Sequence, residues 1–428
     1  MAGRLAALIA ASALALAAPA VAQTAWSPAD LKLDPARIDR TLDGFVRDGR
    51  VVGAEVLVWK DGAERHYHTA GLADREAGRP FARDTLVQIF SMTKPVTGVA
   101  LMQQWEAGKF GLDDPLSWYI PAFANVQVAD GTNPNGTPHL RPPSRPIVIR
   151  DLLRHTAGFT YGGGSTYPDQ VWAELQPLAR DHTLEQFAGL MAQVPLLYDP
   201  GTHWHYSAAI DVQARLVEIF SGQPFDQYVR DHIFLPLGMK DSAWKRDRAD
   251  LPRLAAIYEG ERGAVLTRRP DEQWLDRNYA GHPMTEGGAG IVSTIDDYMR
   301  FARMLLGDGA VAGEMGGARI LKPATVKLIM TDQLDPRITE RLWLPSKGTV
   351  GYGVNGAVRT GQPQTPQEDR GTVGEYIWDG ASSVLFWVDP INDLAVVFMT
   401  QRMPNDITLH HDLRAAVYGA DYLGPVAD

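Results

Sequence analysis

Apolar positions recur at helical spacing between residues 29 and 48, at Leu31, Ile38, Leu42, Phe45 and Val46, which predicts an amphipathic helix. The pattern then changes. Val51–Trp59 is rich in β-branched and aromatic residues, Lys60-Asp61-Gly62-Ala63 has turn chemistry, and Glu64–Ala70 returns, which predicts a hairpin. The same β-rich texture reappears at the far end, in Gly374–Trp378, Val384–Val388 and Leu394–Thr400, with a turn over Asp389–Asp393 and a closing helix over His411–Tyr418. Between the ends lie helical patterns at Val96–Glu106, Ile149–Arg154, Thr183–Met191, Ala208–Phe220, Phe225–Ile233 and Thr294–Leu306. Strands at both ends with helices between them predict one α/β domain assembled from both termini, over 23–95 and 345–428. A mostly helical domain would be inserted at 96–344. Ala129–Pro146, rich in Pro, Gly and Asn, and Arg359–Arg370, rich in Gln, Pro and Thr, read as loops. Either could line a site or merely connect elements at the surface.

The first 22 residues belong to no such element. Arg4 precedes an Ala- and Leu-rich run from Leu5 to Ala18, and Ala20-Val21-Ala22 supplies small residues before Gln23. This predicts a cleaved secretory signal peptide and a periplasmic or secreted protein. An uncleaved anchor is the rival reading, opposed by the short, Ala-rich run and by Pro19. No stable membrane insertion is expected after cleavage. The net charge of −10 argues against nucleic acid or an anionic membrane as partner. With no Cys, thiol nucleophiles, disulfides and thiolate metal sites are excluded.

Chemistry enters at Val87-Gln88-Ile89-Phe90-Ser91-Met92-Thr93-Lys94, just before the predicted helix at Val96. If that helix begins near Ser91, Ser91 and Lys94 share a face one turn apart, and the first-turn N–H groups are free to meet negative charge. Spacing alone decides little. Ser242-Ala243-Trp244-Lys245 repeats it, ahead of Arg246, Asp247, Arg248 and Asp250, and reads as a solvated, charged turn. A third group is needed, and Tyr206 is the candidate. It follows a Pro200-Gly201 turn within His203-Trp204-His205-Tyr206 and precedes a helix, so its phenol sits on a short ordered connection. A phenol titrates near ~10 and an amine near ~10.4 in water. Partial burial would lower Lys94, and the ammonium that remained would favour phenolate on Tyr206. The coupled pair could then take the Ser91 proton. A packed core tyrosine is the alternative.

Several further segments occur in order: Gly111-Leu112-Asp113-Asp114-Pro115, Ile149-Arg150-Asp151-Leu152-Leu153-Arg154-His155-Thr156-Ala157-Gly158-Phe159, Tyr206-Ser207 with Asp211, and Gly287–Thr294. With Ser91-Met92-Thr93-Lys94, they make the chain resemble the serine β-lactamase and penicillin-binding superfamily, on its class C side. Within it the chain is most similar to the family VIII carboxylesterases. The resemblance runs from about residue 30 to the C-terminus. It implies a β-lactamase-like fold, with an antiparallel sheet flanked by helices. It also implies a serine hydrolase that needs no cofactor and acts on a small-molecule ester, with Ser91, Lys94 and Tyr206 catalytic. The superfamily's Lys-Thr-Gly is absent, and Arg359-Thr360-Gly361 only mimics it. The matching segment is Trp378-Asp379-Gly380-Ala381, where family VIII members carry Trp-Gly-Gly; Ser382-Ser383 follows where Ala-Gly is common. By resemblance, Trp378, Asp379 and Gly380 contact substrate, and the Ser91 and Ala381 N–H groups form the oxyanion hole. Trp378 would be an apolar wall, or else a core aromatic at a strand end. Asp379 would repel a carboxylate, so a neutral ester fits better than a β-lactam.

Other candidates carry less. No Gly-x-Ser-x-Gly elbow occurs. His203 and His205 lack partners at metal-ligand spacing. His155 reads as a structural histidine, Gly162–Gly164 as a flexible turn, and His410-His411 as surface. The alternatives to an esterase are a β-lactamase or D-alanyl-D-alanine carboxypeptidase, and a non-catalytic ligand-binding protein on the same fold.

Overall fold

The computed structural model describes residues 31–271, 274–311 and 317–424. The expected signal segment, 1–22, lies outside them. Among the described residues no helix is long and apolar enough to cross a membrane.

Both ends of the chain build one eight-stranded antiparallel sheet. Its strands run in the order Val350–Tyr352, Ala357–Arg359, Tyr376–Asp379, Leu385–Asp389, Leu394–Thr400, Gly53–Lys60, Ala63–Asp74 and Arg79–Pro80. The seam between the termini is the pairing of Gly53–Lys60 with Leu394–Thr400, in which Val56 faces Phe398. Strands Leu385–Asp389 and Leu394–Thr400, at the middle of the sheet, are buried along their whole length, which is why they read as continuous apolar runs. Helices Pro35–Arg47 and Ile407–Tyr418 pack on each other at one face. Helix Ile295–Leu306, from within the span 96–344, packs on the sheet.

Helix Thr93–Glu106 is buried from Thr93 to Met102, with no polar stripe, because it packs on helix Ala209–Ser221 inside the molecule. The stretch expected to be a loop at Ala129–Pro146 contains a hairpin, Val128–Thr132 with Pro138–Arg141. Its Asn, Gly and Pro residues supply the turn, while the ladder closes through backbone groups that composition does not report. A further helix, Tyr167–Leu175, starts at a capping box in which Thr166 and Asp169 exchange hydrogen bonds. The second Ser-x-x-Lys is not the solvated turn expected. Ser242 is buried and donates to the Asp297 carboxylate at 2.9 Å, and Trp244 is buried beside it, while Lys245 points outward.

Candidate active site

Ser91 sits in a single 3₁₀ turn, Phe90–Met92, that runs straight into helix Thr93–Glu106. Phe90, just before it, has φ +45°, a left-handed conformation that costs a bulky residue ~1–3 kcal/mol. The surroundings hold it there. The Ile89 N–H donates to the Ile291 carbonyl at 3.1 Å, Tyr298 donates to the Met92 carbonyl at 2.7 Å, and Asn355 donates to the Lys94 carbonyl at 2.9 Å.

Lys94 is fully buried. Its Nζ lies 3.2 Å from Ser91 Oγ and donates to the Gly288 carbonyl at 2.7 Å. A Cβ on residue 288 would meet Tyr161 Oη at 2.8 Å, so only glycine lets this backbone approach the amine. Tyr206 Oη donates to Ser91 Oγ at 2.8 Å. The structure thus brings Ser91, Lys94 and Tyr206 together, from positions 115 residues apart for the serine and the phenol.

Burial lowers Lys94 to about 7, against the opposing pull of Asp211 and Glu286. Burial, followed by the nearby Glu286, raises the Asp211 carboxyl. The phenolate expected on Tyr206 is not supported, because burial pushes that phenol well above its ordinary value. The group poised to accept a proton is the Lys94 amine, and Tyr206 is a neutral donor. Beneath Tyr206, the His155 ring packs at 4.8 Å while its Nδ1 accepts the Ser207 N–H at 3.2 Å.

The strand Tyr376–Asp379 brings the other wall. A Cβ on Gly380 would meet the Ile89 carbonyl at 2.4 Å, so the glycine lets this strand end close on the Ser91 turn. Ser91 and Ala381 line both cavities that meet here, of about 320 and 360 Å³. Ser383 takes the expected glycine's place at φ +67°, held by hydrogen bonds to the Arg402 carbonyl and from the Asp406 N–H.

Three expectations need correction. Trp378 is fully buried under Tyr206 and Trp343 and is not the cavity wall; that surface belongs to Trp343, 38% exposed. Asp379 is not a free repelling charge, since Lys347 Nζ lies 2.6 Å from its Oδ2 and Asn405 donates to the same oxygen at 3.1 Å. His410 is not at the surface: it is buried, 3.7 Å from Asp379, and Nε2–H donates to the Ser383 carbonyl. Trp343 and Lys347 escaped the sequence reading because one precedes and the other ends a short 3₁₀ turn, Leu344–Lys347, with no helical or strand period. The one available signal was the apolar run Leu342-Trp343-Leu344 standing outside every predicted element.

Residues 38–419 match the profile of the family described as Beta-lactamase. The chain belongs to the beta-lactamase family. Among its relatives in that family, Protein Rv1367c of Mycobacterium tuberculosis (strain ATCC 25618 / H37Rv) is 34% identical over 381 residues, which cover 87% of this chain and 90% of that protein. Esterase EstB of Burkholderia gladioli is 33% identical over 282 residues, or 62% of this chain and 68% of the esterase. The solved structure of EstCE1, described as a hydrolase with promiscuous acyltransferase activity, aligns with a TM-score of 0.73 at 27% identity, covering 90% of this chain and 98% of EstCE1. The β-lactamase-like fold therefore holds across the described chain, and at family level the protein is a serine hydrolase or acyltransferase.

Proposed function

We propose that this beta-lactamase family member is a carboxylesterase that cleaves small neutral esters through an acyl-enzyme on Ser91. The observation that carries the reading is the double contact at Ser91 Oγ: a buried amine at 3.2 Å and a phenol at 2.8 Å. In the proposed reaction Ser91 attacks the ester carbonyl. Lys94, as the free amine, takes its proton, and the neutral Tyr206 hydroxyl steadies the developing oxyanion on Oγ. The carbonyl oxygen rests on the Ser91 and Ala381 N–H groups. The proton returns to the departing alkoxide, and water, deprotonated by the same amine, releases the acid.

The charge balance of the cleft supports a neutral substrate. Each guanidinium or ammonium lining the two cavities faces a carboxylate: Lys347 with Asp379 at 2.6 Å, Arg277 with Glu286 at 3.5 Å, and Arg180 with Asp276 at 3.0 Å. The test compares a short-chain nitrophenyl ester with a chromogenic cephalosporin, alongside fluorophosphonate labelling of wild type and Ser91→Ala. Ester turnover with labelling at Ser91 is the expected result. Cephalosporin turnover without esterase activity would make the protein a β-lactamase, and ligand binding without labelling would make it a binding protein. Acyl transfer to an alcohol is a second reading, favoured by the likeness to EstCE1. Methyl ester formed when methanol is added to the assay is its signature.

A further inference from the structure

Asp379 closes the strand Tyr376–Asp379 at the edge of the cleft, and the structure gives its carboxylate a partner. Lys347 and Asp379 are only 10% and 9% exposed, and both line the cavity that contains Ser91 and Tyr206. Lys347 also lines a neighbouring cavity of about 520 Å³, so its ammonium stands at the junction of the two spaces. The indole rings of Trp378 and Trp343 lie 5.2 and 5.6 Å from Nζ, faces that favour a cation in that position. The Asn405 amide donates to the same Asp379 oxygen as Lys347, and His410 Nδ1 lies 3.7 Å from that oxygen with its Nε2–H committed to the Ser383 carbonyl. The strand end thus supplies, through the Asp379 side chain, a carboxylate that pairs with the cation facing the cleft.

We propose that Asp379 is the residue that sets charge specificity: it occupies Lys347 and thereby bars esters that carry a carboxylate from the cleft. The inference rests on the esterase reading and deepens it. With the internal carboxylate gone, the ammonium remains beside its two indole rings and can pair with one from the substrate. The opposite cavity offers no substitute, because Arg277 and Arg180 keep their own carboxylate partners.

The experiment measures kcat/KM for 4-nitrophenyl pentanoate and for mono(4-nitrophenyl) glutarate, two esters that differ in a terminal methyl against a carboxylate. Wild type is expected to favour the pentanoate strongly. In Asp379→Asn the glutarate-to-pentanoate ratio is expected to rise at least tenfold, and adding Lys347→Met is expected to return it to the wild-type level. Asp379→Gly, which leaves no amide behind, provides a second route to the freed cation if the Asn variant does not fold. A ratio within threefold of wild type in a folded variant that still cleaves the pentanoate overturns the proposal. So does a gain that survives Lys347→Met, or the failure of both Asp379 variants to fold, which would make the residue a folding element. A wild-type protein that cleaves neither ester refutes the esterase reading itself, a result separable from all of these.

Discussion

Lys94 shows how burial turns an ordinary side chain into a reagent. An amine in water holds its proton to ~10.4 and is no base at neutral pH. Here burial lowers it to about 7, so a working fraction is free amine beside Ser91 Oγ. The rate of the free enzyme, kcat/KM, is therefore expected to rise with pH through about 7 and to level off above it, since the ammonium below that point has no lone pair to offer. A profile flat from pH 5 to 9 would contradict this assignment. Lys94→Met should lower kcat by ~10²–10⁴-fold, with a melting temperature at or above wild type, because an apolar chain replaces a desolvated amine. Lys94 binds its proton less tightly folded than unfolded, so its contribution to stability rises with pH from about 7 up to an ordinary lysine's ~10.4. Asp211, raised by burial, binds its proton more tightly when folded, and its contribution falls as pH climbs above the ordinary carboxylate range. Ser91, Lys94 and Tyr206 were legible as candidates because nucleophile, amine and phenol are recognisable side chains. The protonation of Tyr206 and the neutralisation of Asp379 were not, since both depend on groups distant in the chain.

The decisive element is the end of strand Tyr376–Asp379. Gly380 passes so close to the Ile89 carbonyl that any side chain there pushes the strand end away from the Ser91 turn, and Ala381 moves with it. Gly380→Ala is expected to cut kcat by ~10²–10³-fold, the range for losing one oxyanion donor. KM should change little, and far-ultraviolet circular dichroism should show the fold retained. A kcat within threefold of wild type would mean that Ala381 plays no such part. Trp343, the exposed aromatic of the cleft, belongs to this scale too. Trp343→Ala should raise KM for an ester several-fold with little loss of kcat, as removal of a contact made equally in ground and transition states does. Helix Ile295–Leu306, with its amphipathic period, and strand Leu394–Thr400, a continuous β-rich apolar run, could be read from the sequence. The hairpin Val128–Thr132 with Pro138–Arg141 and the turn Leu344–Lys347 could not, because they are short and stabilised by partners elsewhere in the chain.

For the molecule as a whole, the C-terminal helix is tied to the sheet by charged groups buried beneath it. Arg414, from helix Ile407–Tyr418, pairs with Glu375, which also accepts from Arg359 Nε at 2.9 Å; all three side chains are essentially inaccessible to water. Burial alone would raise the Glu375 carboxyl, but the two guanidinium groups hold it below its ordinary value. Removing Arg414 leaves Glu375 with Arg359 as its remaining guanidinium and takes a charged donor from both the Glu375 carboxylate and the Arg370 carbonyl. Arg414→Met is expected to destabilise the protein by ~1.5–3 kcal/mol in a denaturant titration, the range for losing a hydrogen bond to a charged group, while the folded fraction keeps its turnover, since Arg414 touches nothing in the cleft. A loss below ~1 kcal/mol would show that neighbouring groups satisfy Glu375 without it.

Local chemistry in the chain determined which stretches become strands and helices, that the sheet draws on both ends, and which serine, lysine and tyrosine could form a nucleophilic group. Those properties follow from side-chain type and from periods of two and 3.6 residues, both carried by consecutive positions. Tertiary structure decided the protonation of that group, the aromatic that faces the cleft, and the partner of Asp379. Each is set by desolvation or by a contact across the fold, as between Lys347 and Asp379, and such contacts exist only once distant segments have packed together.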